Sequence, residues 1–374
     1  MPKPVPPRQP HARGSRSGNP AVRSGRQPAR PGPSRPLPPP QRRHAVPTPA
    51  EAPVLEVLPP DGAPYPLVLR GESYAWWRSG GGVVLGLLLY LVLVTLVSQL
   101  VVLLGRLLGG SDVPYVEYAR QAAAYERPSG MLGVNLGIAT LIPIACLLVL
   151  VLHRVRPRWL VSVQPGVRWR FLGLSLVVGV VSLLGVQLLA TGVPALAPQR
   201  GFWGFLVVIV LTSPIQAAAE EVFFRGYLLQ ALGSLVARPW FGVVVSAVLF
   251  ALLHGTQNPA LFVNRLAFGL LAAALVWKTG GLEAGIAAHV VNNVLAYLIA
   301  ALTTGIATLK TVQSLTWAQS AVGIGGFALF AVLAYLVFRA LRLRSTVQLG
   351  AVEGQPDGGT PGGRTGLGGR PVLQ

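Results

Sequence analysis

Acidic residues are scarce in this sequence: Asp and Glu together number 12, against 31 Lys and Arg, in a chain of 374 residues. Charged residues of both signs make up 11%, where a soluble domain carries about 25%. With 52% hydrophobic residues and a mean hydropathy of +0.56, most of the chain is excluded from a soluble globular fold. Cysteine is all but absent. Cys146 is the only one and lies in an apolar run, which excludes a disulfide framework and a thiolate metal site within one chain. No secretory signal is visible, because the basic N-terminus runs into prolines rather than a short apolar stretch, and none is expected. The formal charge of +19 does not point to nucleic acid, since residues 1–50 supply ten Lys and Arg and no acid.

What the chain does have is a series of long apolar runs. A bilayer crossing needs about 20 apolar residues. About eight candidates qualify, at roughly 82–105, 131–152, 171–190, 202–232, 240–256, 260–277, 281–302 and 318–338. The fourth is too long for a simple crossing, the fifth is short, and Pro214 should kink the fourth. The expected fold is all-α: a polytopic membrane helix bundle of about eight transmembrane helices over residues 71–345, with disordered N- and C-terminal tails. The first tail is the Pro/Arg-rich segment 1–70, and the last is the Gly-rich segment 346–374. Trp76, Trp77 and Arg78 read as an interfacial anchor, and Trp203, Trp240 and Trp277 as further ones. The segment 153–170 holds five arginines and no acid, whereas the loop 106–130 balances three arginines with Asp112, Glu117 and Glu126. The positive-inside rule then makes this a multi-pass protein of the cell membrane with both termini cytoplasmic.

Three carboxylates occur between Arg127 and Val352, and two of them are adjacent, Glu220 and Glu221. The third, Glu283, sits beside an expected helix end. Ionisable groups at bilayer depth cost roughly 2.5–3.5 kcal/mol each on insertion scales, and such a penalty usually marks function. Glu221 and Arg225 stand four apart with the acid first, the favourable order for a helical ion pair. His254 and His289 lie in apolar segments, with Phe250 four residues before the first and Asn293 four residues after the second. Counted at ~1.5 Å per residue from the intervening turns, Glu220, His254, His289 and Asn293 fall in one layer at depths of ~12–21 Å. A carboxylate in apolar surroundings can act as general base toward water, with an imidazole sharing the work. A second imidazole and an amide can stabilise an oxyanion. Glu220, His254 and His289 are equally a candidate ligand set for a divalent metal such as zinc, although no His-Glu-x-x-His helix is present. Two neighbouring carboxylates point about 100° apart on a helix, which assigns Glu221 to Arg225 and leaves Glu220 for chemistry.

Glu220-Glu221-x-x-x-Arg225, Phe250-x-x-x-His254 and His289-x-x-x-Asn293, in that order, resemble the motifs of the CPBP family of intramembrane proteases. That family includes the CAAX prenyl endopeptidases, also called Abi-like proteins. The resemblance covers about residues 170–340. It implies a helical membrane endopeptidase, of metallo or glutamate mechanism, cutting a peptide bond near the cytoplasmic membrane face through a site open to the cytoplasm. It also implies that Glu220 and His254 activate water, that His289 and Asn293 hold the oxyanion, and that Glu221 and Arg225 support them. The partners it implies are the lipid bilayer and a membrane-associated peptide or protein substrate, lipidated in the CAAX case.

Other readings of the same residues stand beside this one. The Glu and His groups would also serve a proton-coupled transporter as a relay, although the inverted repeats common in transporters are not visible. A non-catalytic, bacteriocin-immunity-type membrane protein is a third reading. The bland alternatives are a structural Glu221–Arg225 pair, a satisfied core histidine at 254, and interhelical glue at His289 and Asn293 worth only ~0.6 kcal/mol.

Overall fold

A computed structural model describes residues 57–351. Most of the expected tails, 1–56 and 352–374, lies outside the described residues. Among the described residues seven helices are long and apolar enough to cross a membrane. They are α1 (Trp76–Leu108), α2 (Pro128–Val151), α3 (Trp169–Thr191), α4 (Phe202–Val236), α6 (Pro259–Thr279), α7 (Glu283–Leu302) and α8 (Trp317–Ala340). Between α4 and α6 lies the shorter apolar helix α5, Pro239–Leu252, of 14 residues. At ~1.5 Å per residue α5 is only ~21 Å long, so the fifth of the expected spans is not a full crossing. No strand occurs among the described residues, only two isolated bridges.

Hydrogen bonds between the connectors sort the helix ends into two faces. On the near face, Val57 N–H donates to Arg154, Val163 N–H to Gly280, and the Arg70 guanidinium to Ser234. Pro64 pairs with Thr346 on the same face. On the far face, Ala197 N–H donates to Leu302, Asn258 N–H to Gln313, and Ile306 N–H to the Gln199 side chain. The ends of α1–α8 therefore alternate between the two faces, the short α5 linking them although it is shorter than a full crossing. The segments flanking the bundle meet on the near face.

Two expected boundaries need correction. The tail 1–70 does not extend to residue 70, because Tyr65, Val68 and Leu69 are buried and the Tyr65 hydroxyl donates to the Leu160 carbonyl. The tail 346–374 likewise starts too early, since Val347 is buried and exchanges hydrogen bonds with Gly62 and Ala63. Short apolar stretches inside a Pro- and Gly-rich context bury themselves against the bundle here. The chain stays α-helical through Pro214, from Phe202 to Glu220, and the change of helical form comes later.

Small residues let the helices approach. A Cβ on Gly133 or Gly137 would lie 2.8 or 2.6 Å from a backbone oxygen or side-chain oxygen of α1. This Gly-x-x-x-Gly face of α2 packs directly on the α1 backbone, as small residues do where dispersion rather than water drives helix association. The main core then forms around Phe171, Phe223, Phe224, Phe250 and Phe268.

Candidate active site

Glu220 ends the α-helical part of α4, and Glu221 opens a π-helical stretch, Glu221–Leu228. Such wider turns recur at functional sites because they re-aim side chains that regular geometry would separate. Glu221 Oε1 lies 2.9 Å from Arg225 Nη1, and both side chains are fully buried. The pair is close without an aligned hydrogen bond. The guanidinium also lies 4.1 Å from the ring centre of Phe250 and 5.4 Å from that of Phe268, so ring faces share in holding its charge.

His289, from α7, sits between the two carboxylates. Its Nδ1 is 2.8 Å from Glu221 Oε1, and its Nε2 is 3.1 Å from Glu220 Oε2. Glu220 and Glu221 do diverge, as neighbours on a helix must, yet they grip opposite edges of one imidazole ring. A carboxylate can only accept, so each contact requires a proton between ring and oxygen. With both protons in place, Glu220, Glu221, His289 and Arg225 sum to zero charge, which lowers the cost of burying them together. The rings of Phe250 and Phe268 pack against His289 with centroids 5.8 and 5.1 Å away.

His254 follows the last turn of α5. Its Nδ1 is 2.7 Å from the Phe250 carbonyl. A carbonyl accepts, so Nδ1 carries the proton, and in the neutral ring Nε2 is left with its lone pair. Asn293 Nδ2 donates to Gln216 Oε1 at 3.0 Å, and Asn293 Oδ1 accepts from Asn292 at 3.1 Å. Glu220, His254, His289 and Asn293 all line one cavity of about 710 Å³, together with Gln216 and Asn292. That volume is in the range of small-ligand and peptide sites. Glu220 is the only carboxylate in its lining.

The side chains expected from the sequence are thus brought together, but their pairing differs from the expectation. The direct partner of Glu220 is His289, and Glu221 serves His289 as well as Arg225. Sequence reasoning missed Gln216, Gly285 and Arg265. Gln216 stands four residues before Glu220 in an apolar helix, a signal of the same kind as the motifs used. Gly285 has no side chain because a Cβ there would lie 2.8 Å from Glu221 Oε2. Arg265 lines the cavity from α6 and donates to Gln257 at 2.8 Å.

The candidate metal ligands do not form a ready site. Among the described residues no group of three or more His, Cys, Asp or Glu side chains is arranged to hold a metal ion. Both nitrogens of His289 already face carboxylates, and His254 presents only Nε2.

The mouth of the cavity lies on the far face. Its lining draws on Tyr125, Thr256, Lys310 and Gln313, all from far-face connectors, and on no near-face connector. The flanking segments lie on the near face. Cytoplasmic termini and a cytoplasmic mouth, both expected from the sequence, therefore exclude each other.

Residues 202–295 match a protein family described as type II CAAX prenyl endopeptidase Rce1-like. The uncharacterized protein YyaK of Bacillus subtilis (strain 168) is 30% identical over 149 residues, covering 36% of this chain and 50% of that protein. The chain thus spans about half the length of this curated relative. No solved structure matches the chain. The matched segment runs from the start of α4 to just beyond Asn293 and holds every motif residue; over that segment the chain is similar to the Rce1-like family, in keeping with the CPBP resemblance of its motifs.

Proposed function

We propose that this protein is an intramembrane endopeptidase that hydrolyses a peptide bond of a membrane-associated substrate inside the far-face cavity. The observation that carries the reading is the meeting of Glu220, His254, His289 and Asn293 on one cavity within apolar helices. A water molecule there can donate one proton to Glu220 and the other to the free Nε2 of His254. Its oxygen lone pair is then directed at a carbonyl carbon lying deeper in the cavity.

As the C–O bond forms, Glu220 takes the water proton and loses its negative charge. A neutral carboxyl is a weaker acceptor, so the His289 Nε2–H that faced it becomes available to the oxyanion on the substrate. Asn293 has a second N–H beyond the one given to Gln216, and it serves the same oxygen. Collapse of the tetrahedral intermediate breaks the C–N bond, and Glu220 returns its proton to the leaving amine. The products are a carboxylic acid, which keeps the second water proton, and an amine. The acid then passes that proton to the amine, leaving a carboxylate and an ammonium with Glu220 restored. Glu221 and Arg225 act by positioning His289. The lipidated peptides of the CAAX class are one substrate set for this site, read from the family's description alone.

The test is cleavage of a degenerate, membrane-anchored peptide pool by purified protein in nanodiscs. Replacing a general acid–base group typically costs ~10²–10⁴-fold in rate. Glu220→Ala and His254→Ala should each lose at least that much while keeping the folded protein's thermal melting profile. Full turnover in both variants would sink the mechanism. Proton flux in liposomes without proteolysis would move the assignment to a transporter.

A further inference from the structure

We propose that the catalytic cavity opens to the extracytoplasmic side of the membrane and draws its peptides from there. This rests on the endopeptidase reading for what the cavity does, but not for where it opens. Two independent observations meet in it: which connectors form the mouth, and how charge is divided between the two faces.

The mouth is built by the far-face connectors. Lys310 and Gln313 come from the connector between α7 and α8, Thr256 from the turn after α5, and Tyr125 from the connector between α1 and α2. These pieces are tied to one another. Asn258 N–H donates to the Gln313 carbonyl, the Asn258 side chain accepts from Leu315 N–H, and Lys310 lies 4.8 Å over the Tyr125 ring. Glu220, His254 and His289 line the walls beneath this rim.

The charges of the two faces are unequal. The near-face connector between α2 and α3 carries Arg154, Arg156, Arg158 and Arg168 with no acid. After α8 the chain adds Arg339, Arg342 and Arg344, and Arg238 and Lys278 stand at the other two near-face turns. The acids on this face are Asp61, Glu72 and Glu283. Arg70 and Arg78 add two further bases beside the first two, and Glu283 is taken up by Arg168 at 2.5 Å, so the face keeps a large basic excess. On the far face, Arg106, Arg120 and Arg127 are offset by Asp112, Glu117 and Glu126, which leaves Arg200 and Lys310. These are short loops next to helix ends, where the excess of Lys and Arg sets orientation. The near face is then cytoplasmic and the mouth faces outward. The substrate class that follows is an exported peptide, or an outward-facing segment of a membrane protein, rather than the tail of a cytoplasmic protein.

Single-cysteine labelling tests the orientation without using activity. Cys146→Ala removes the one native thiol. Ser314→Cys then reports the exposed far-face rim, and Gln348→Cys the exposed near face. With a membrane-impermeant maleimide on intact cells, Ser314→Cys should label at least tenfold faster than Gln348→Cys, and permeabilisation should remove the difference. The reverse order, or equal labelling of both before permeabilisation, would overturn the proposal. A second arm uses proteoliposomes of known orientation and the peptide pool added outside. Cleavage is expected only where Ser314→Cys is labelled from outside. Cleavage only in the opposite vesicles would overturn the proposal. No cleavage in either, with labelling as expected, would overturn the endopeptidase reading and leave the orientation standing.

Discussion

Glu221 faces two cationic groups at once, Arg225 at 2.9 Å and the His289 ring at 2.8 Å, with its second oxygen against Gly285. An alanine methyl at 285 would need space that Glu221 Oε2 occupies, so the carboxylate must move and His289 with it. Gly285→Ala is expected to lower peptide turnover by roughly tenfold or more, since small displacements of positioned groups can cost ~10²-fold. Gly173→Ala, where a Cβ meets nothing within 4 Å, is the control and should leave turnover unchanged. Equal activity in both variants would show that the close contact at Gly285 does not set the site. The contrast also shows what could be read beforehand. Glu220, Glu221, Arg225, His254, His289 and Asn293 stood out because ionisable and amide groups are costly in apolar helices and recur here four residues apart. The grip of both carboxylates on one imidazole was not readable, because it depends on how α4 and α7 meet. Gln216, an amide four residues from a motif carboxylate in an apolar helix, was as readable as Asn293.

At the scale of elements, long apolar runs located α1–α4 and α6–α8, since a bilayer-length helix leaves little choice of structure for about 20 apolar residues. Orderly packing of the segments beside the bundle was hidden by composition. Residues 57–70 look like the end of a Pro-rich tail, yet Tyr65 is wholly buried and its hydroxyl reaches Leu160 at the connector after α2. The π-helical stretch at Glu221–Leu228 was equally hidden, because one extra residue in a turn leaves no mark in a hydropathy pattern. The contribution of residues 57–70 can be measured. Tyr65→Ala removes a buried aromatic ring and leaves the Leu160 carbonyl without its donor, which should destabilise the bundle by about 3–5 kcal/mol. Urea-induced unfolding in detergent, followed by tryptophan fluorescence, would report it. A variant as stable as the parent would mean that these residues do not belong to the core.

Across the whole molecule, the near face gathers most of the arginines beside buried groups that cannot easily take up further positive charge. His153, just past the end of α2, is the clearest case. Burial, and then the nearby Arg78 guanidinium, push its imidazole down from 6.5 to about 4. The Tyr227 hydroxyl at 3.5 Å is the polar neighbour of Nε2, and Nδ1 has no partner. In the unfolded chain this histidine binds its proton near pH 6.5, so between that value and about pH 4 the unfolded state holds more protons than the folded one. Stability therefore rises with pH through this window. The contribution is fully present above about pH 6.5, shrinks as the pH falls, and is exhausted near pH 4. A difference of this size between the two states corresponds to about 3 kcal/mol at most. The comparison that isolates it is His153→Gln against the parent, both unfolded in detergent at a series of pH values from 4 to 8. The parent should lose stability on acidification more steeply than the variant, with the gap opening below about pH 6.5. Parallel profiles would mean that His153 is protonated in the folded protein, and that the near face accommodates one more positive charge beside Arg78 than its burial suggests.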